Sequence, residues 1–229
     1  MTPDAAAWDA LRLSLWVAVW ATVLAIPLAL WVAWLLARRD FWGKSLLNAA
    51  VHLPLVLPPV VTGYLLLMAF GRNAPLGRAL ESIGLQLAFH WSGAVLAAMI
   101  MGFPLMVRAM RLAIEAVDPK LEEAAASLGA SRQSVFGRVT LPLILPGVLA
   151  GTVMGFAKAM GEFGATITFV ANIPGQTQTL PSAIWSALQI PGGEGQAVVM
   201  VLMASAVAVS AVLLSEMLAR RVAARIAGT

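Results

Sequence analysis

The sequence predicts an all-α membrane protein, a bundle of about five transmembrane helices with a short cytoplasmic helix between two of them. Of its 229 residues, 60% are hydrophobic and only 11% are charged. Long uncharged apolar runs recur along the chain, and such runs cross lipid as helices because a helix satisfies its own backbone hydrogen bonds. Lysine and arginine fall in alternate loops. We therefore treat residues 1–229 as a single transmembrane domain.

The first apolar run begins close to the N-terminus and is predicted to remain in the mature protein. Residues 1–9 are slightly acidic and lack the basic start of a signal peptide, and the run that follows is too long for a signal sequence. Apolar runs of sufficient length predict spans at about 12–37, 48–71, 92–113, 140–165 and 196–219.

The distribution of cations predicts how these spans are oriented. Three, five and three Lys or Arg residues fall in the segments 38–48, 108–138 and 220–225. The opposite side carries only Arg12, Arg72 and Arg78. By the positive-inside rule the cation-rich side is cytoplasmic, which predicts a periplasmic N-terminus and a cytoplasmic C-terminus. The positive charge is explained by topology, so we expect no nucleic-acid partner.

The segment 171–195 is predicted to lie on the periplasmic side. Pro-Gly turns bracket it, and a short helix is expected over 181–190. A partial sixth span within 166–195 remains an alternative, although the polar run 176–179 makes a crossing unfavourable.

Prolines predict kinks inside the membrane. The second and fourth spans share a Leu-Pro-Leu-x-Leu-Pro pattern near their starts. Pro58, Pro59 and Pro146 lie further into the helices, where a missing N–H and a ring clash bend the backbone. Kinked spans suit either a lined cavity or an inert bundle.

The fourth span carries two further features that suit helix packing or a transport pathway. Small residues recur every four positions and form a smooth ridge, at Gly147, Gly151, Gly155 and Ala159. Lys158 and Glu162 are four residues apart, so they can neutralise each other on one helix face. Charges inside a span are costly and need a partner or a water-filled path.

Enzyme chemistry is not predicted. Gly43-Lys44-Ser45 has the end of a phosphate-binding loop, but Arg38 stands where the pattern needs its first glycine. His52 and His90 lack a second ligand at metal-site spacing, and cysteine is absent. We expect no catalytic residue, no metal and no cofactor in this chain.

A polar-edged helix is predicted between the third and fourth spans. Asp118 and Pro119 suit a helix start, and Gly129 suits its end. The apolar side is narrow and consists of Leu121, Ala124, Ala125 and Leu128. Helices that lie on membranes favour basic polar faces and bulky apolar ones. A shallow alanine face beside Glu122 and Glu123 fits better into a groove on another protein.

The same stretch resembles a known family. Glu123-Ala124-Ala125, three residues, Gly129, nine residues and then Val139-Thr140-Leu141-Pro142 is similar to the EAA loop of ABC-importer permeases, with Val139 in place of the usual Ile. Residues 41–44, 53–67 and 161–170 resemble those of molybdate-importer permeases. Sulfate and tungstate permeases are near relatives.

The resemblance implies a type I ABC-importer permease of the bacterial inner membrane. It implies a homodimer, a separate cytoplasmic ATPase dimer that holds ATP and Mg, and a periplasmic molybdate-binding protein that contacts 171–195. Within the coupling loop, about 114–140, the helix 119–128 would dock on the ATPase. Its implied coupling residues are Leu121, Glu122, Glu123, Ala124, Ala125, Leu128 and Gly129. Two alternatives stay open, a permease for tungstate or sulfate and a non-transporting membrane scaffold.

Overall fold

The computed structural model describes residues 4–227, which are helices and the turns between them. The side chains of Arg220 and Arg225, used above for orientation, lie outside the described part. The elements of the described part are α1 (Ala5–Arg38), α2 (Lys44–Val56), α3 (Pro59–Phe70), α4 (Pro75–Ser82), α5 (Trp91–Glu115), α6 (Pro119–Ser127), α7 (Arg132–Val135), a π-helical turn (Phe136–Thr140), α8 (Leu141–Met160), α9 (Gly164–Val170), α10 (Leu180–Leu188) and α11 (Glu194–Ala227).

Four segments of the described chain are long and apolar enough to cross a membrane. They are α1, α5, the continuous rod Arg132–Met160 and the Glu194–Leu214 part of α11. A fifth candidate is the pair α2 and α3, whose axes are bent by 114°. The all-α prediction and the number of about five spans are confirmed, and the kink predicted within 48–71 is a complete break between two helices.

The break between α2 and α3 lies at the predicted prolines. Leu57 is extended (φ −72°, ψ 141°) because Pro58 disfavours helical backbone in the residue before it. Pro59 then starts α3, where its missing N–H costs nothing. By contrast, α8 continues through Pro146 without a break.

The fourth span is shorter than predicted, since α8 ends at Met160 rather than near residue 165. Residues 161–163 form a turn, and α9 starts a new helix at Gly164. The carboxylate of Glu162 accepts a hydrogen bond from the backbone N–H of Ala165 at 3.0 Å. That side chain satisfies a donor in the first turn of α9, so it favours a fresh helix start at this point.

The segment 171–195 contains a short helix, as predicted, at α10. With nine residues, α10 is too short to span a membrane, and no further candidate span lies in 166–195 of the described chain. The hydroxyl of Ser14 accepts a hydrogen bond from the N–H of Leu180 at 2.7 Å, which fastens α10 to the first span.

The core of the bundle is α5, which packs most extensively against α1 and α8. Fully buried alanines line the α5-facing side of α1, at Ala18, Ala21, Ala25, Ala29 and Ala33. Small residues let helix backbones approach closely where lipid supplies no hydrophobic drive. The fold is therefore held by close helix contact along α5.

Candidate coupling site and membrane pathway

The predicted helix in the coupling loop is present as α6. The carboxylate of Asp118 accepts the N–H of Lys120 at 3.0 Å and caps the start, and Pro119 is the first helical residue. Gly129 has φ +86°, a left-handed conformation that favours glycine. The N–H groups of Gly129 and Ala130 donate back to the carbonyls of Ala126 and Ala125, so α6 ends where predicted.

One face of α6 is free of the rest of the described chain. Leu128 is 90% exposed and Leu121 is 49% exposed, and Glu123 and Ala124 are also exposed. No residue of α6 is buried. An apolar side chain as exposed as Leu128 has not found its packing partner within this chain, which is what a docking surface requires.

Glu122 and Ala125 lie on the other side of α6 and are half-buried. The hydroxyl of Thr140 donates to Oε1 of Glu122 at 2.6 Å, and Nη2 of Arg38 lies 3.5 Å from the same oxygen. The structure thus directs Glu122 towards the spans, although the resemblance to the family places it among the coupling residues. Thr140 and Arg38 are distant in sequence, so no local pattern could have indicated these contacts.

Lys158 and Glu162 form the predicted pair, but Glu162 lies in the turn after α8 rather than on the same helix face. Nζ of Lys158 lies 2.8 Å from Oε2 of Glu162, whose side chain is 1% exposed against 30% for the lysine. The other carboxylate oxygen is the one that caps α9. Glu162 therefore joins a charge in α8 to the start of α9.

The glycine ridge of α8 faces α5. A Cβ built on Gly147 would collide with Ala113, one on Gly151 would lie 3.2 Å from the Met106 carbonyl, and one on Gly155 would lie 2.5 Å from Sδ of Met106. These close contacts explain the four-residue spacing as helix packing.

The bend between α2 and α3 contacts α9. A Cβ on Gly164 would lie 2.8 Å from Cβ of Pro59, and one on Gly63 would clash with the carbonyl of Ala165. Pro58 and Pro59 thus bring α3 against α9, directly beside the residue capped by Glu162. The break at Pro58 and Pro59 and the residues of α9 were predicted in separate spans, and no sequence pattern indicated that they would be in contact.

The described chain is thus a helical membrane domain with a short, capped and unpacked helix between two of its candidate spans. Residues 25–224 match the family described as "Binding-protein-dependent transport system inner membrane component". The chain belongs to this family.

Individual relatives refine this assignment. The chain is 56% identical over 214 residues to the "Molybdenum transport system permease protein ModB" of Haemophilus influenzae, covering 93% of both chains. It is 40% identical over 173 residues to the "Sulfate transport system permease protein CysW" of Synechococcus elongatus, covering 76% of this chain and 60% of that protein.

Among solved structures, the fold is similar to a bacterial ABC transporter involved in the import of alginate. The TM-score is 0.75 at 18% identity, and the match covers 95% of this chain and 80% of that chain. The predicted type I ABC-importer permease fold is confirmed.

Proposed function

We propose that this chain is the permease subunit of an ATP-driven molybdate importer. The relative named as a molybdenum permease is 56% identical and covers 93% of this chain. The sulfate permease relative is 40% identical and covers 76%. This difference in identity and coverage supports molybdate over sulfate as cargo.

The exposed face of α6 carries the coupling part of the proposal. It offers Leu128, Leu121, Ala124 and Glu123 to a partner, as an amphipathic helix does when it enters a groove. The proposed partner is a cytoplasmic ATPase dimer that binds ATP and Mg. With α6 on the cytoplasmic side, the N-terminus is periplasmic and the C-terminus cytoplasmic in a bacterial inner membrane.

The remaining partners follow from the same proposal. A second copy of this chain completes a homodimer with the pathway between the copies. A periplasmic binding protein delivers the oxyanion to the outer face, where α10 and 171–179 lie. In the membrane, the glycine ridge of α8, the Lys158–Glu162 pair and the bend at Pro58 and Pro59 would shape the moving parts of the pathway.

Reconstitution in proteoliposomes tests the proposal. The chain is combined with the ATPase and binding protein encoded beside its gene, and uptake of molybdate, tungstate and sulfate is measured with and without ATP. We expect molybdate uptake that needs both ATP and the binding protein. The matched control is an ATPase that binds but does not hydrolyse ATP.

The outcomes separate the alternatives. Uptake of sulfate in preference to molybdate would contradict the proposed cargo and retain the transporter. A complex that holds the ATPase, with no uptake and no stimulation of ATP hydrolysis by the loaded binding protein, would indicate a scaffold instead.

A further inference from the structure

The side of α6 that faces the spans is joined to them by a cluster that we term the α6 junction. Its four residues are Arg38, Val117, Glu122 and Thr140. Nη2 of Arg38 donates to the carbonyl of Val117 at 3.1 Å and lies 3.5 Å from Oε1 of Glu122. The hydroxyl of Thr140 donates to that same oxygen at 2.6 Å. One carboxylate oxygen therefore accepts a hydrogen bond from Thr140 and forms an ion pair with Arg38.

Because these groups are largely buried, losing their contacts would cost free energy. Thr140 is 2% exposed, and the side chains of Arg38 and Glu122 are 17% and 27% exposed. Without Glu122, the threonine hydroxyl would lose its acceptor in a buried position, and a buried unpaired donor is costly. A charged acceptor also makes a stronger hydrogen bond than a neutral one. The junction is thus unlike a solvated surface pair.

The positions of these residues decide what the junction connects. Arg38 is the last residue of α1, and Thr140 is the last residue of the π-helical turn that leads into α8. Val117 immediately precedes the capping residue of α6. Since α6 has no buried residue of its own, packing alone holds it weakly. Glu122 is the side chain that fastens it to two spans.

We propose that Glu122 is a positioning residue that makes α6 move as one body with the end of α1 and the start of α8. This inference rests on the proposed function, in which α6 receives the motion of the ATPase. Glu123, its neighbour, is exposed on the docking side. The two adjacent acids thus have different tasks, with Glu123 facing the partner and Glu122 facing the spans.

The first test separates docking from transmission. In the reconstituted complex, Glu122→Ala is expected to leave co-purification of the ATPase unchanged, because the docking face is intact. The number of ATP molecules hydrolysed per ion taken up is expected to rise severalfold, because α6 can then move without the ends of α1 and α8 following it. Leu128→Asp should do the reverse and lose the ATPase itself.

A double-mutant cycle tests whether the effect passes through Thr140. Thr140→Val removes the donor and keeps the shape of the side chain. If Glu122 acts through this contact, the double variant should couple no worse than Glu122→Ala alone, because interacting residues are not additive. Additive losses would overturn the inference. Glu122→Gln keeps an acceptor for Thr140 and should retain most coupling, which guards against a folding defect in the alanine variant.

A distance measurement tests the fastening without relying on transport. The chain has no cysteine, so it can be spin-labelled at Ala126→Cys on α6 and Leu143→Cys on α8 alone. Labelled chain is diluted with unlabelled chain and assembled with cysteine-free partner subunits, so that the distance within one copy is measured. We expect a narrow distance distribution with Glu122 and a broadened one with Glu122→Ala. An unchanged distribution would overturn the inference, as would a broadened distribution with an unchanged ATP-to-ion ratio. If the unsubstituted complex takes up no oxyanion, the proposed function fails and the distances still decide the fastening.

Discussion

A glutamate lies beside a cation near each end of α8, and the two pairs differ in burial and in the separation of their partners along the chain. At the end of α8, Glu162 is 1% exposed and lies 2.8 Å from Lys158, four residues away on the same segment. At its start, Glu122 is 27% exposed and lies 3.5 Å from Arg38, which belongs to another helix.

The two pairs show that a buried pair of near neighbours stabilises one segment, whereas a more exposed pair of distant residues connects separate elements. The Lys158–Glu162 pair is local, so it fixes the shape of one segment, the turn from α8 into α9. The Arg38–Glu122 contact is weaker by distance and exposure but spans separate elements. Such a contact adds little to folding stability, and in the proposed role of Glu122 it links the motions of those elements.

Among the variants that test this comparison, Glu162→Ala is expected to have the largest effect on stability. It strands the Lys158 ammonium in an apolar span and removes the acceptor for the Ala165 N–H. We expect a loss of about 3 kcal/mol of stability, the lower end for broken buried pairs because Lys158 is partly exposed. The measurement is thermal denaturation in detergent.

The matched control is the double variant Lys158→Met with Glu162→Gln. It removes both charges and keeps an acceptor for the Ala165 N–H, so most of the lost stability should return. A double variant as unstable as Glu162→Ala would show that the charge pair is not the cause.

Gly155→Val tests the rod between the two ends. Its Cβ would lie 2.5 Å from Sδ of the buried Met106, so α8 must separate from α5 or Met106 must move. Overpacking of this kind costs about 1–3 kcal/mol. Thermal denaturation should show the loss. Gly161→Ala should not lose stability, because its Cβ would lie an ordinary 3.6 Å from the Ala157 carbonyl oxygen.

Leu128→Asp tests the docking face of α6, the helix that Glu122 fastens near the start of α8. The side chain is 90% exposed, so stability should change by less than about 0.5 kcal/mol. A buried charge in the docking groove should lower co-purification of the ATPase about tenfold or more. The control is Ile190→Asp, at an apolar position that is 61% exposed. It follows α10, which is fastened near the start of α1, whereas α6 lies at the end of α1. Equal loss from both variants would remove the docking role from α6.

Asp40→Asn should have the smallest effect. Asp40 lies 2.8 Å from Lys44, a shorter distance than Glu122 to Arg38, but its side chain is 98% exposed. The Lys44 ammonium holds the pKa of Asp40 below its usual value through a hydrogen bond and then through charge attraction. Neither the melting temperature nor the ATP-to-ion ratio should change. A coupling defect here as large as that of Glu122→Ala would mean that distance, not connectivity, decides.

The sequence was sufficient wherever a feature depends on neighbours in the chain. The start of α6 at Asp118 and Pro119, its end at Gly129 and the break at Pro58 were all predicted from local chemistry. The Lys158–Glu162 pair follows from a four-residue spacing. Each of these depends on backbone rules that act over a single turn.

The remainder depends on tertiary contacts that no spacing reveals. The 114° bend between α2 and α3 accompanies the packing of α3 on α9, a contact between segments far apart in the sequence. The end of α8 at Met160 depends on Glu162 serving as both an ion-pair partner and a helix cap. The inward direction of Glu122 depends on Arg38 and Thr140, which lie 84 and 18 positions away in the sequence.

The π-helical turn Phe136–Thr140 has a consequence for how α6 is aimed. Buried positions along α8 follow each other at steps of three or four, at Ile144, Val148, Gly151, Gly155 and Ala159, but the step from Val135 to Thr140 is five. The wide turn absorbs one extra residue, which amounts to about 100° of rotation in an α-helix. The number of residues in this turn therefore sets the rotational angle between α8 and the coupling loop that precedes it. A substitution in this turn would leave that angle unchanged, but an insertion or deletion would turn the coupling loop to face another direction.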